Sequence, residues 1–170
     1  MASMVALNCY SDQHGHPVGG GCHWTDGYRK ILKEIRKRYP AIPITTENFS
    51  EPYVDVIDGF LMWSPLSDND IPLIPAIYSG YCQTFGCRTS PSYTIEAFRA
   101  AQGRSFLWGC QPGWEREWIL EGKFAPRFEY LIRLAELHLK EREFFCDGEL
   151  VGEVTNLAEM PILALKWQRW

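Results

Sequence analysis

Short apolar segments alternate with longer amphipathic ones along most of the chain. Residues 4–10 form an apolar run bounded by a polar, glycine-rich stretch from Ser11 to Gly21, which predicts a buried strand running into a long loop. Tyr28, Ile31, Leu32, Ile35 and Tyr39 then recur at helical spacing while Lys30, Lys33, Arg36 and Lys37 face away, with Thr25 as cap and Pro40 and Pro43 as stops. Residues 42–46 predict a second strand ending on Glu47, and Ser50 with Pro52 opens a brief helix. Residues 59–63, 73–78 and 105–109 predict three further strands. A helix from Ser92 through Ile95, Phe98 and Ala101 precedes the last of these, and Phe128, Leu131, Ile132, Ala135 and Leu139 mark a long final helix.

Strand alternating with helix predicts parallel pairing and an α/β fold. A complete (β/α)8 barrel takes about 250 residues, and five strand candidates precede residue 142, so the pattern fits a partial TIM-type barrel made of its carboxy-terminal strands and helices. Residues 63–73 are too short for an ordinary crossover, so either that unit is degenerate or one of the flanking strands is misassigned. Beyond the last helix the pattern changes. Asp147 and Gly148 signal a hairpin turn, and residues 163–170 a further strand. The chain therefore divides into residues 1–142, the barrel portion, and residues 143–170, the start of a trailing antiparallel β domain.

Composition is that of a globular protein, 46% hydrophobic and 22% charged, with a formal net charge of -4. That balance lacks the basic footprint of a nucleic-acid or anionic-membrane binder, and no apolar run is long enough to span a bilayer. The start shows no signal-peptide pattern, and the compartment stays open. Six cysteines without CxxC pairs predict mostly buried free thiols, not a zinc finger or disulfide scaffold. The unusual feature is the 14% aromatic content.

Polar residues at strand ends converge on the mouth of a barrel. Asp12 and Glu47 answer that description, and a carboxylate pair is what glycosidic cleavage needs: one group protonates the departing oxygen while the other attacks the sugar or activates water. Glu51, one turn on, sits where a carboxylate favours a helix dipole. His14 and His16 are read as hydrogen-bonding lining of the glycine-rich loop; with Asp12 they also make the metal-dependent hydrolase an alternative, although no metal or other cofactor is called for. Trp63, Tyr78, Tyr81, Trp108 and Trp114 stand at or after predicted strand ends, where rings stack on sugar faces; Trp63, Tyr78 and Trp108 are the substrate-binding candidates. Phe60, Phe106, Phe128 and Phe144 read as core. No GxSxG or paired cysteine supports a serine or cysteine hydrolase.

The order YSDQHGHPVGGGCHW, ITTENFSEPYVDVIDGFLMW and PLIPAIYSGY, with FFCDGELVG after the last helix, resembles glycoside-hydrolase-like barrel proteins known as a domain of unknown function, over about residues 4–155. The resemblance implies a barrel whose first strands lie upstream and carbohydrate as the substrate class. It also implies acid and base groups at strand ends, matched here by Asp12 and Glu47. Such a segment would need the amino-terminal half of the barrel, because half a barrel exposes strand edges. The expected activity is glycosidic bond cleavage; a noncatalytic carbohydrate-binding barrel is the alternative.

Overall fold

The computed structural model describes residues 7–20, 22–63, 73–154 and 164–169, with backbone alone for 152–154 and 164–169. Helix α1 (His23–Arg38) begins two residues before the expected Thr25 and has no side-chain cap; Arg36, Lys37 and Arg38 in its last turn complement the helix dipole. Strands β1 (Thr45–Glu47), β2 (Gly59–Leu61) and β3 (Gln83–Phe85) pair in parallel in that order. A parallel bridge from Phe85 to Gln111 adds a fourth position beside β3. Helices α2 (Leu73–Tyr78), α3 (Ile95–Leu107), α4 (Ala125–Lys140) and the short α5 (Arg142–Phe145) complete the set, followed by the antiparallel pair β4 (Gly148–Val154) and β5 (Ala164–Arg169).

Register assigns the two faces of the parallel sheet. Thr46, Phe60 and Thr84 lie side by side and all are buried. Phe60 packs with Leu32 of α1 and with Tyr53, Val56 and Ile57 of the connection between β1 and β2. This is the helix-covered face. By the two-residue period of a strand, Glu47, Leu61 and Phe85 form the next row on the opposite face. A second cluster, Phe98, Trp118, Ile119, Phe124 and Leu131, joins α3 and α4 through the turns between them. Two bidentate or doubly bonded arginines fasten α1 to the same connection: Arg29 to Asp55 at 2.5 and 2.6 Å, and Arg36 to Asp58 at 2.5 Å and to the Ile42 carbonyl at 3.0 Å. Arg36 thus faces the sheet edge, not solvent.

Several expected elements change. Residues 73–78 are helix α2, not a strand, and the strand they were expected to supply is β3; the crossover from β2 to β3 then has ample length. Residues 105–109 close α3 and turn out of it, and the sheet position passes to Gln111. Among the described residues of the first expected strand, Cys9 pairs antiparallel with Gly19 instead of joining the parallel sheet; residues 4–6 lie outside the described part. Thr94, not Ser92, caps α3, its hydroxyl accepting from the Ala97 amide at 3.2 Å. Asp147 and Gly148 lead into β4 and do not form a hairpin turn, since β4 pairs with β5 across residues 155–163. Phe60 and Phe106 are core as expected, but Phe128 is exposed on α4. All six cysteines are free, and only Cys87 and Cys110 are buried.

Candidate active site

The carboxyl ends of the parallel strands carry a concentration of backbone strain. Among the described residues, three non-glycine residues have left-handed backbones: Asn48 (φ 60°), Trp63 (φ 50°) and Trp114 (φ 67°). They follow β1, β2 and the Gln111 bridge, so all three belong to one edge of the sheet. Each such conformation costs roughly 1–3 kcal/mol and persists where surrounding structure enforces it, most often at functional sites. Gly86, directly after β3 with φ 76°, shows the tightness of this edge: a Cβ there would come within 2.5 Å of Leu61 Cδ1 and 2.9 Å of Trp114 Cβ.

The strain places aromatic rings together. Trp63 and Trp114 meet edge to face with centroids 5.0 Å apart, and the Arg88 guanidinium lies 5.4 Å from the Trp63 ring centre. Trp114 is 38% exposed, so the pair presents a ring surface to solvent. Glu47 ends β1 on the face it shares with Leu61 and Phe85, half-buried, and its carboxylate makes no hydrogen bond or ion pair among the described residues.

Sequence reasoning missed Glu115, which immediately follows Trp114. Its Oε1 accepts from the Thr89 hydroxyl at 2.5 Å and from Gln102 Nε2 at 2.7 Å, while Oε2 is buried without a hydrogen-bond partner among the described residues. Burial pushes this carboxyl above the usual carboxylate range, opposed by the hydrogen bonds from Thr89 and Gln102 and by the Arg127 charge. A proton on the carboxyl is therefore held more tightly in the folded than in the unfolded chain. Stability from this group is full below about pH 4.3 and is lost as pH rises through the raised value. In Glu115→Gln that component should vanish, so wild type and variant should differ in the slope of denaturant-measured stability as pH rises above about 4.3. Parallel slopes would remove the perturbed carboxyl from the account. No periodicity or motif marked Glu115; its position after an aromatic at a strand end was the available signal.

The other expected site residues lie on several elements. Asp12 is exposed in the loop between Cys9 and Gly19 and accepts from Gln13 Nε2 at 2.8 Å. His14 and His16 lie in the same loop, 4.5 Å apart by ring centre. Trp108 caps the end of α3, 3% exposed, and does not follow a strand. Tyr78 is on α2, its ring 4.8 Å from Phe49 and its hydroxyl paired with Glu51. Tyr78 lines an open cleft of about 900 Å³ between the connection after β1 and the turn before β3. Asp58, Cys82 and Gln83 in its wall stand at the amino ends of the strands, whereas parallel α/β sheets bind ligands at the carboxyl ends. Glu47, Trp63 and Trp114 stand at the carboxyl ends instead.

Residues 1–89 match the family described as "Domain of unknown function (DUF6259)". The chain belongs to this glycoside-hydrolase-like family. It is 33% identical over 168 residues to a Bacteroides thetaiotaomicron protein named "Putative glycoside hydrolase", an alignment covering 90% of this chain and 24% of that protein. Over 123 residues it is 35% identical to the Monosiga brevicollis protein "Putative glycoside hydrolase 22789", covering 67% of this chain and 10% of that protein. The chain thus spans a quarter or less of the length of these relatives. No solved structure matches it.

Proposed function

We propose that the chain forms part of the catalytic barrel of a glycoside hydrolase, with the carboxyl edge of the parallel sheet as part of its sugar-binding mouth. The observation that carries this reading is the strained Trp63–Trp114 pair at the same strand ends that carry Glu47. Exposed indole faces bury the apolar faces of pyranose rings with little loss of side-chain freedom, and Arg88 adds hydrogen-bond donors for hydroxyls. In this reading Glu47 is one of the two carboxylates that cleave the glycosidic bond. Asp12 is its partner in the pairing that the sequence suggests, and the roles of acid and base can be exchanged between them. Burial of Glu115 favours a second pairing, in which Glu115 is the protonated acid and Glu47 the ionised group. β1 has a single neighbour among the described residues, β2, and its other edge is where further strands of a barrel would pair.

The platform is tested by Trp63→Ala in the whole protein, titrated with oligosaccharides and assayed for their hydrolysis. Loss of one stacking ring should weaken binding about tenfold, equivalent to about 1.4 kcal/mol, and raise KM with kcat nearly unchanged. Unchanged binding would show that sugars do not meet this edge. Binding without any hydrolysis in the wild-type protein would select the noncatalytic carbohydrate-binding barrel.

A further inference from the structure

The loop before α1 gathers a thiol and imidazoles. Two backbone hydrogen bonds between Cys9 and Gly19, 3.1 and 2.7 Å, close this loop, and Gly19 takes the left-handed conformation (φ 94°) at the closure. Within it the His16 amide donates to the His14 carbonyl at 2.9 Å, a tight turn that brings the two rings together. Cys9 Sγ lies 3.3 Å from His14 Nε2, and one ligand atom from each of Cys9, His14 and His16 falls within 4.8 Å of the others.

We propose that Cys9, His14 and His16 form a binding site for a borderline-soft divalent cation of the zinc type. Zinc–sulfur bonds of about 2.3 Å and zinc–nitrogen bonds of about 2.0–2.1 Å in a tetrahedron set ligand atoms roughly 3.3–3.6 Å apart. The Cys9–His14 separation of 3.3 Å lies at the short end of that range and needs only a slight opening. His16 is oriented as metal-bound histidines are: its Nδ1 lies 2.8 Å from the Pro17 carbonyl, which only accepts, so Nδ1 carries the proton and the lone pair is left on Nε2. His23, at the start of α1, stacks on the His16 ring at 3.8 Å with planes 4° apart, and neither of its nitrogens has a hydrogen-bond partner among the described residues. The His23 ring therefore fixes the His16 plane from behind while α1 anchors it. His14 is exposed, so the fourth tetrahedral position opens to solvent. Asp12, which the sequence would group with the histidines, is outside this cluster, and the thiol of Cys9 takes the third place. Bound metal would tie Cys9 to the His14–His16 turn within the loop, and the site stands or falls independently of the glycosidase reading.

The test is equilibrium binding of Zn2+ and of Co2+ as spectroscopic probe to the whole chain. One Co2+ per chain with a thiolate-to-cobalt charge-transfer band is expected. Cys9→Ser should abolish the band and weaken binding at least tenfold, and His14→Ala and His16→Ala should each weaken it comparably. Cys22→Ser, which alters an exposed thiol outside the cluster, should leave band and affinity intact. Circular dichroism of each variant without metal shows whether the fold is kept. A wild-type chain that binds no stoichiometric ion, a band that survives Cys9→Ser, or affinities unmoved in the histidine variants would each overturn the site.

Discussion

Glu47→Gln in the whole protein should lower kcat on its oligosaccharide substrate by about 10²- to 10⁴-fold, the usual worth of a positioned acid or base. Glutamine keeps the shape of the side chain and its capacity to hydrogen-bond but can neither ionise nor deliver a proton. Substrate affinity should change little, because the rings of Trp63 and Trp114 remain. Running Asp12→Asn and Glu115→Gln beside it identifies the partner carboxylate. If Glu115 is the acid, its loss should match that of Glu47 and Asp12→Asn should be nearly silent; if Asp12 is the partner, the pattern reverses. Turnover within about threefold of wild type in Glu47→Gln would exclude the residue from the chemistry.

Phe60→Ala should be the most damaging single change to stability, by about 3–5 kcal/mol, the range for removing a buried aromatic side chain. Phe60 is fully buried at the centre of β2, flanked by Thr46 and Thr84 on its neighbours and covered by Leu32, Tyr53, Val56 and Ile57. The Phe49 ring, 5.0 Å away, can fill only part of the space, because it also packs on Tyr78. The expected readout is a lower denaturant midpoint with an unchanged slope. A loss below about 1 kcal/mol would mean that the helix-covered face closes over the cavity. It would also weaken the assignment of Glu47 to the opposite face, since both rest on the same register.

The sequence carried some elements and not others for identifiable reasons. Helix α4 and most of α1 were legible because their apolar residues recur at helical spacing, although Ile31 and Ile35 of α1 are exposed in the described structure. Strands β1 and β2 were legible as short apolar or β-branched runs, which placed Glu47 at a strand end. Residues 73–78 misled because a six-residue apolar run has no period that separates strand from helix. β3 was missed for the converse reason: Gln83 and Thr84 are polar and only Phe85 is apolar, so the segment shows no apolar run at all. The excessively short connection from residue 63 to 73 was the warning, and the helix at α2 resolves it.

By itself, then, the sequence determined helices α1 and α4, strands β1 and β2, the parallel character of the sheet, the strand-end place of Glu47 and the family resemblance, all of which follow from local periodicity or from residue order. Tertiary structure alone decided which groups meet. Trp63 and Trp114 become one surface because the chain returns to the same sheet edge after β2 and after the Gln111 bridge. Glu115 becomes a perturbed carboxyl because the fold buries it, a shift that hydrogen bonds from Thr89 and Gln102, distant in sequence, only partly oppose. Cys9 joins His14 and His16 because the Cys9–Gly19 pairing folds the loop back on itself. Burial and charge environment are set by long-range contacts, and a local pattern of residues does not encode them.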